Sequence, residues 1–351
     1  MINSDIFNFE YEFLNDYNNF CIHNNIKLVL DYYGVKHSSL YIDTIPGIRF
    51  HVNEDEPENL ECIYDIDSTS VLSPFDSLVH INYPKDKLDS VGNLTEIKKS
   101  IDAGIPVIVM VDVYDLPYMP FYHTDHSIHS ILVCGYDDRK EEITYVDWYS
   151  PYFSKGTINY QDYFRARASE NPAGPLMNSN FPIENRWILV EKDGWNATPV
   201  ELLKYTIDKM ELVYYSKKNT QHEKESEGIG AVMRLQSFLK ELSSMSEERA
   251  KTVLTMLHKY FFMMPNYWDF FSSNIVRNVA AASVTVENDE LSILQNNTVL
   301  WTKLLRLFVK ANMGNYESVY PKILTSMEQI VENDFKSEQI LHSIKTSLSK
   351  N

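Results

Sequence analysis

The sequence predicts an α+β domain followed by a helical region. A helical pattern beginning near residue 21 precedes a cluster of apolar strand patterns, and beyond about residue 195 only helical patterns remain. This order argues against a fold in which strands and helices alternate regularly. We assign residues 1–195 to the mixed domain, residues 196–227 to a connecting helix and linker, and residues 228–351 to an all-α domain.

The first helix is predicted over residues 21–33 and ends at Gly34. Apolar side chains recur there at helical spacing: Ile22, Ile26, Val29, Leu30 and Tyr33. A second helix is predicted over residues 93–103 and ends at Gly104.

Strands are predicted where short apolar runs are bounded by turn residues. The segments are 45–52 (a turn, then a strand), 105–112, 129–136, 142–147 and 186–191. Residues 137–140 form a polar turn between two of these segments, which predicts a hairpin.

Apolar stripes at helical spacing predict the helices of the second half. They cover residues 200–212, 234–242, 248–262, 291–309, 320–330 and 335–348. No short tandem repeat typical of a solenoid is present.

The chain is acidic, with a net charge of −17 from 32 basic and 49 acidic residues. This balance argues against nucleic acid, whose phosphates require basic patches. It is compatible with a cationic small molecule as substrate, although solubility alone is the other interpretation.

Three cysteines and an acidic N-terminus favour a reducing, cytoplasmic setting. An odd number of cysteines without a CxxC pair predicts neither a disulfide framework nor a structural zinc site. The N-terminus lacks a basic region and an apolar core, and no apolar run approaches the ~20 residues that span a bilayer. We therefore expect neither a signal peptide nor a membrane span.

Cys21 is the candidate nucleophile. It lies where a polar loop meets the first helix, and free N–H groups at a helix N-terminus favour a thiolate. The alternative is a small buried residue, which is how we interpret Cys134 in its apolar strand. Cys62 is predicted to lie in an acidic loop, whose carboxylates would raise the pKa of its thiol and suppress the thiolate.

His129 and Asp147 are the candidate base and its orienting carboxylate. His129 begins one predicted strand and Asp147 ends the next, so a hairpin places both at one end of the sheet. The order Cys, His, Asp suits a papain-like arrangement. The alternative is a metal site formed with His123 and His126, but no zinc-type ligand spacing is present, and we predict no metal.

Several segments resemble a known family. Cys21 with the helix that follows it resembles the nucleophile helix of C39-type cysteine peptidases. Residues 104–107, 111–118 and 129–137 resemble the butirosin biosynthesis protein H family, whose members carry a papain-like N-terminal domain and a helical C-terminal domain.

The resemblance implies acyl transfer from an acyl carrier protein thioester to an amine acceptor in antibiotic or other specialised-metabolite biosynthesis. Cys21 is then the acylated nucleophile, His129 the base and Asp147 its orienter. Asn15 or Asn19 would supply the oxyanion donor where a papain-like site has glutamine, together with the backbone N–H of Cys21. No cofactor is expected beyond the phosphopantetheine of the carrier.

The candidates for binding the acceptor are Asp112, Tyr114 and Tyr118. Asp112 would bind the ammonium group of the acceptor. The alternative is a turn with aromatic packing at the end of a strand. An acidic carrier protein requires a local basic patch, for which Arg165, Arg167 and Arg186 are candidates. Hydrolysis by a peptidase or thioesterase and a non-catalytic binding module remain alternative functions. The sequence also leaves a homodimer open.

Overall fold

The computed structural model describes residues 4–17, 20–53, 60–65, 70–87, 89–149, 152–174, 176, 180–216, 225–314 and 316–349. Contacts between residues divide the chain into two compact units. The first comprises Met1–Ile42 and Thr69–Asn196, and the second comprises Asp43–Ser68 and Ala197–Asn351.

A six-stranded antiparallel sheet forms the centre of the first unit. Its strands are β3 (Val79–Asn82), β4 (Val107–Asp112), β5 (Ile128–Asp137), β6 (Glu142–Tyr149), β7 (Tyr152–Asn159) and β8 (Trp187–Val190). They lie in the order β3-β8-β4-β5-β6-β7. The predicted hairpin between β5 and β6 is present, and β4 lies on the other side of β5.

Helices cover this sheet. Those of the first unit are α1 (Ser4–Asn8), α2 (Cys21–Tyr32), α3 (Ser90–Asp102) and α4 (Tyr160–Ala168). Leu94 and Ile97 of α3 and Tyr163 of α4 pack in one apolar core with alternate residues of β4 and β5, such as Val109 and Ile131. Because α2 contacts β5 and β6 directly, its first residue lies near the strands that carry the other candidate catalytic residues.

The second unit combines a small sheet with a helical bundle. The strands β1 (Gly47–Val52), β2 (Leu60–Asp65) and β9 (Glu225–Glu227) pair antiparallel in the order β2-β1-β9. The helices are α5 (Pro199–Val213), α6 (Gly228–Glu241), α7 (Glu247–Phe261), α8 (Met264–Ala281), α9 (Asn288–Met313) and α10 (Tyr316–Leu348).

The α+β class and the helical C-terminal region are confirmed, but the unit that holds the helices is not purely helical. Residues 43–68, which the sequence places in the mixed domain, group with the helices instead. The cause is the apolar face of β1: Phe50 is fully buried against the rings of Phe238 and Phe261.

The last two predicted helices form one continuous helix, α10. Two polar residues interrupt its apolar pattern, but both are buried and bonded within the bundle. The side-chain amide of Asn333 donates to the backbone oxygen of Ile293, and Asp334 accepts the hydroxyl of Tyr214 at 2.8 Å. None of the described helices is both long and apolar enough to cross a bilayer.

Candidate active site

Cys21 is the first residue of α2 and is partly exposed. Phe20 occupies the N-cap position, and its side chain makes no capping hydrogen bond to the first turn. The positive end of the helix dipole therefore lies at the thiol, where it stabilises a thiolate.

His129 and Asp147 form a buried pair at one end of the sheet. His129 lies near the start of β5 and Asp147 near the end of β6, and the two strands pair antiparallel. Nε2 of His129 lies 2.8 Å from Oδ1 of Asp147, and both residues are about 1% exposed. The carboxylate of Asp147 accepts a hydrogen bond from Nε2 of His129, so this nitrogen carries a proton. Nδ1 of His129 is therefore left to interact with the thiol of Cys21.

The electrostatics of the three residues match a thiolate–imidazolium pair. Burial by itself raises the pKa of Cys21, but the hydrogen bond and charge of His129 and hydrogen bonds with Ser130 outweigh it, so the pKa is lowered. Burial by itself lowers the pKa of His129, but the charge and hydrogen bond of Asp147, with the contacts of Cys21, raise it to about 10.

One side chain that the sequence did not single out as functional ties α2 to the histidine strand. Asn25 lies one helical turn after Cys21, on the same side of α2. Its amide donates to the backbone oxygen of Ser130 at 2.9 Å and to its hydroxyl at 3.0 Å. Asn25 and Ser130 are both buried, so the bonds fix Cys21 beside Ser130 and His129.

Tyr118, predicted to bind the acceptor, contacts the carboxylate of the candidate triad. Its hydroxyl donates to Oδ2 of Asp147 at 2.8 Å, and its ring stacks on Tyr145 with the centroids 4.3 Å apart. The hydroxyl therefore holds the second oxygen of the carboxylate that binds His129.

Asp112, predicted to bind an ammonium group, is fully buried and bonded to its own chain. Its carboxylate accepts from the side chains of His126 and Ser169 and from the backbone N–H groups of Tyr114 and Ser127. An incoming ammonium would have to displace one of these donors, so the contacts favour a positioning role for Asp112. Tyr114 stacks on the imidazole of His126.

The two asparagines predicted as oxyanion donors precede α2 in the sequence. Asn15 is exposed and belongs to the short 3₁₀ turn Asn15–Tyr17. Asn19 lies outside the described residues. The sequence did not point to Asn24, which is about 1% exposed and whose side-chain amide has no hydrogen-bond partner among the described residues.

The other cysteines have no comparable setting. Cys134 is fully buried in β5, and burial raises the pKa of its thiol to about 12. This agrees with its prediction as an inert core residue. Cys62 was expected in an acidic loop but belongs to β2, where it is buried against the apolar core of the second unit.

The three arginines named as candidates for a basic patch form hydrogen bonds and ion pairs within the first unit. Arg167 is fully buried and donates to the backbone oxygens of Met110 and Asn185. Arg165 pairs with Asp115 and Asp162. Arg186 donates to backbone oxygens of its own loop. Since Arg167 has no exposed surface, it cannot contribute to such a patch.

The three nearby histidines do not converge on one point. His126 pairs with Asp112, His129 pairs with Asp147, and His123 lies 3.8 Å from Asp115. Among the residues that the structure describes, no group of three histidine, cysteine or acidic side chains is arranged to hold a metal ion.

Comparison with known proteins gives one family match. A search of the curated proteins found no matching relative. The model of the family described as "Butirosin biosynthesis protein H, N-terminal" matches residues 80–148 of the 351-residue chain. The matched segment includes His129 and Asp147, while Cys21 lies before it. The resemblance to the butirosin biosynthesis protein H family is therefore confirmed over residues 80–148, the stretch that begins in β3 and carries both partners of the candidate nucleophile.

Proposed function

We propose that the chain is a cysteine acyltransferase that moves an acyl or aminoacyl group from a carrier-protein thioester to an amine. The observation that carries the proposal is the buried His129–Asp147 pair beside a partly exposed thiol at the start of α2. Burial raises the pKa of this thiol, but the contacts of His129 and Ser130 outweigh burial and lower the pKa. Such a thiol is a nucleophile near neutral pH.

The chemistry proceeds in two half-reactions. Cys21 Sγ attacks the thioester carbonyl, the new C–S bond forms, and the C–S bond to the carrier breaks as its thiol leaves with a proton from His129. An amine then attacks the acyl-enzyme, the C–N bond forms, and Cys21 leaves as a thiolate. His129 takes the proton that the attacking nitrogen loses in this step. The backbone N–H of Cys21 and the amide of Asn15 or Asn19 are the proposed donors to the oxyanion.

The arrangement of elements supports a papain-like catalytic domain for this reaction. The nucleophile begins a helix that packs on an antiparallel sheet, and base and carboxylate lie on neighbouring strands at one end of that sheet. We propose residues 1–195 as this domain, although residues 43–68 group with the second unit.

Charge and the family match support the kind of substrate. The net charge of −17 favours a cationic, amine-bearing acceptor such as an aminoglycoside. The family is named for butirosin biosynthesis, which supports a role in making a specialised metabolite. The donor is proposed to be an acyl carrier protein, whose phosphopantetheine supplies the thioester. The cysteines Cys21, Cys62 and Cys134 are all free, in keeping with the proposed cytoplasmic setting.

Intact-mass spectrometry tests the proposal. Wild type, Cys21→Ala and Cys134→Ala are each mixed with an acyl-loaded carrier protein, with and without a diamine. Wild type and Cys134→Ala should gain one acyl group and form the amide when the amine is present, whereas Cys21→Ala should do neither. Equal thioester consumption by Cys21→Ala and wild type would refute the proposal. Release of free acid regardless of amine would identify a hydrolase, and an unmodified wild type would identify a binding module.

A further inference from the structure

Ser130 presents its backbone groups on the side of β5 that faces β6. At the end of the ladder between β4 and β5, the backbone N–H of Val113 donates to the oxygen of Ser127. Hydrogen-bonded and non-bonded pairs alternate along an antiparallel ladder, and Ser130, paired with Met110, lies three positions further on. Ser130 therefore belongs to a non-bonded pair, and its backbone N–H and oxygen point away from β4.

The pairing of β5 with β6 stops before it reaches Ser130. The last pair at this end joins Leu132 to Val146, so the backbone groups of Ser130 lie beyond it. Helix α2 supplies a partner there, because the side-chain amide of Asn25 donates to the backbone oxygen of Ser130 at 2.9 Å. Cys21 lies one turn before Asn25 on the same side of α2, which brings the thiol to the same opening between the strands.

The amide of Asn25 also fixes the direction of the Ser130 hydroxyl. Because a carbonyl oxygen only accepts hydrogen bonds, Nδ2 of Asn25, and not Oδ1, must face the backbone oxygen of Ser130. The same Nδ2 lies 3.0 Å from Oγ of Ser130. Oγ therefore accepts from Asn25, and the hydroxyl proton of Ser130 is left for another acceptor. Both residues are at most 1% exposed, so solvent does not compete for these bonds.

The thiol of Cys21 is the acceptor that this proton meets. Burial raises the pKa of the thiol, and against burial act His129 and then hydrogen bonds from both the side chain and the backbone of Ser130. The two neighbours differ in kind. His129 exchanges protons at working pH, whereas a serine hydroxyl and a backbone N–H keep theirs.

We propose that Ser130 is a further catalytic residue, whose hydroxyl and backbone N–H stabilise the sulfur of Cys21 as an anion, and that Asn25 is the positioning residue that directs the hydroxyl. This inference rests on the proposed role of Cys21 as the nucleophile. When the acyl-enzyme is cleaved, the C–S bond breaks, its electron pair moves to Sγ, and His129 takes the proton of the attacking amine. Ser130 transfers no proton. Its hydrogen bonds to sulfur strengthen as negative charge develops there, which makes Cys21 a better leaving group.

The pH profile of Cys21 alkylation tests the assignment without any acyl substrate. Iodoacetamide labelling is followed by peptide mapping in wild type and in Ser130→Ala, with Ser130→Gly as a second variant that lacks the hydroxyl. Each variant loses a hydrogen bond to a charged acceptor, so the midpoint should rise by about one pH unit and labelling below it should slow by up to about tenfold. The plateau rate at high pH should not fall, because a thiolate of higher pKa is the stronger nucleophile.

A double variant tests whether Asn25 acts through Ser130. Asn25→Ala should raise the midpoint by less than Ser130→Ala does, and should raise it no further once Ser130 is alanine. Ser154→Ala is the matched control, since the hydroxyl of Ser154 binds Tyr145 in the same sheet, and it should keep the wild-type midpoint. Cys134 is fully buried and should stay unlabelled in every variant, which verifies that each protein is folded.

The outcomes separate this inference from the function on which it rests. An unmoved midpoint in Ser130→Ala and Ser130→Gly overturns the role of Ser130 and leaves acyl transfer intact. A lower plateau rate in both variants also overturns it, because the site would then be disturbed as a whole. An equal shift by Asn25→Ala with and without the Ser130 hydroxyl overturns the positioning role of Asn25. A wild-type midpoint at or above ~8.5 overturns both this inference and the proposed nucleophile.

Discussion

The hydroxyl of Tyr118 lies 2.8 Å from Oδ2 of Asp147, while Nε2 of His129 lies 2.8 Å from Oδ1. Each oxygen of this buried carboxylate therefore has its own donor, one from the loop after β4 and one from β5. Burial and the neighbouring charge of Asp147 raise the pKa of the Tyr118 hydroxyl well above its usual range, so it remains a donor throughout the working pH range.

Tyr118→Phe removes this donor and leaves a buried charged oxygen unsatisfied. We expect a loss of about 1.5–3 kcal/mol in the free energy of unfolding, measured by urea denaturation at pH 7. The matched control is Tyr136→Phe, whose hydroxyl binds Asp102 at the surface and whose loss should cost less than about 1 kcal/mol. An equal loss of unfolding free energy in the two variants would mean that the buried hydrogen bond to Asp147 stabilises the fold no more than the exposed hydrogen bond to Asp102.

Selective alkylation measures the lowered pKa of Cys21. Iodoacetamide at pH 7 should modify Cys21 and spare Cys134, because burial raises the pKa of the Cys134 thiol to about 12. The rate should rise with pH to a midpoint below ~8.5, the value for a free cysteine. His129→Gln should move this midpoint upwards and slow labelling at pH 7 by roughly tenfold or more.

Peptide mapping identifies the labelled residue in each case. Labelling of Cys134 as fast as Cys21, or a midpoint unmoved by His129→Gln, would contradict the thiolate–imidazolium pair.

The sequence could predict the candidate triad because all three residues lie at ends of elements with clear patterns. Helical periodicity places Cys21 at the start of α2, and the β5–β6 hairpin then brings His129 and Asp147 to one end of the sheet. The contacts of Tyr118 and Asp112 could not be predicted in the same way. They depend on the path of the long loop between β4 and β5, which has no periodic pattern.

Periodicity also does not say which core an apolar strand joins. Phe50 and its neighbours were correctly predicted as a strand, but β1 packs against helices that lie far later in the chain. Likewise, the gap between the helices predicted over residues 320–330 and 335–348 belongs to the continuous helix α10, where the side chains of Asn333 and Asp334 are bonded to neighbouring segments of the bundle.

Asp334 should make the folded chain less stable as pH rises. Burial raises the pKa of its carboxyl to about 8, although hydrogen bonds of Tyr214 and Asn297 oppose this change. The same carboxyl titrates near ~3.9 in the unfolded chain. The contribution of Asp334 to the free energy of unfolding is therefore fully present below about pH 4 and is lost as pH rises towards 8. Asp334→Asn does not titrate, and its stability relative to wild type should therefore increase between pH 4 and pH 8. This gain in relative stability should be at most about 1.4 kcal/mol per pH unit.

Urea unfolding at several pH values measures this trend. Glu328→Gln, which replaces an exposed carboxylate on the same helix, is the control and should keep the wild-type pH dependence. A constant difference between Asp334→Asn and wild type across this range would show that Asp334 is ionised in the folded chain.

The side-chain oxyanion donor can be assigned by comparing two asparagines. Asn15, one of the two proposed side-chain donors, lies six residues before Cys21 and is exposed. Asn24 lies three residues after Cys21 and is buried, with no partner for its amide among the described residues. Removing one oxyanion donor costs roughly 10²–10³ in rate, so Asn15→Ala should slow acylation of Cys21 by about 10² while Asn24→Ala changes it little. Acylation by an N-acetylcysteamine thioester, followed by intact mass, measures both rates. The reverse pattern would transfer the role to Asn24, and two unaffected variants would leave Asn19 and the backbone N–H of Cys21 as the remaining candidate donors.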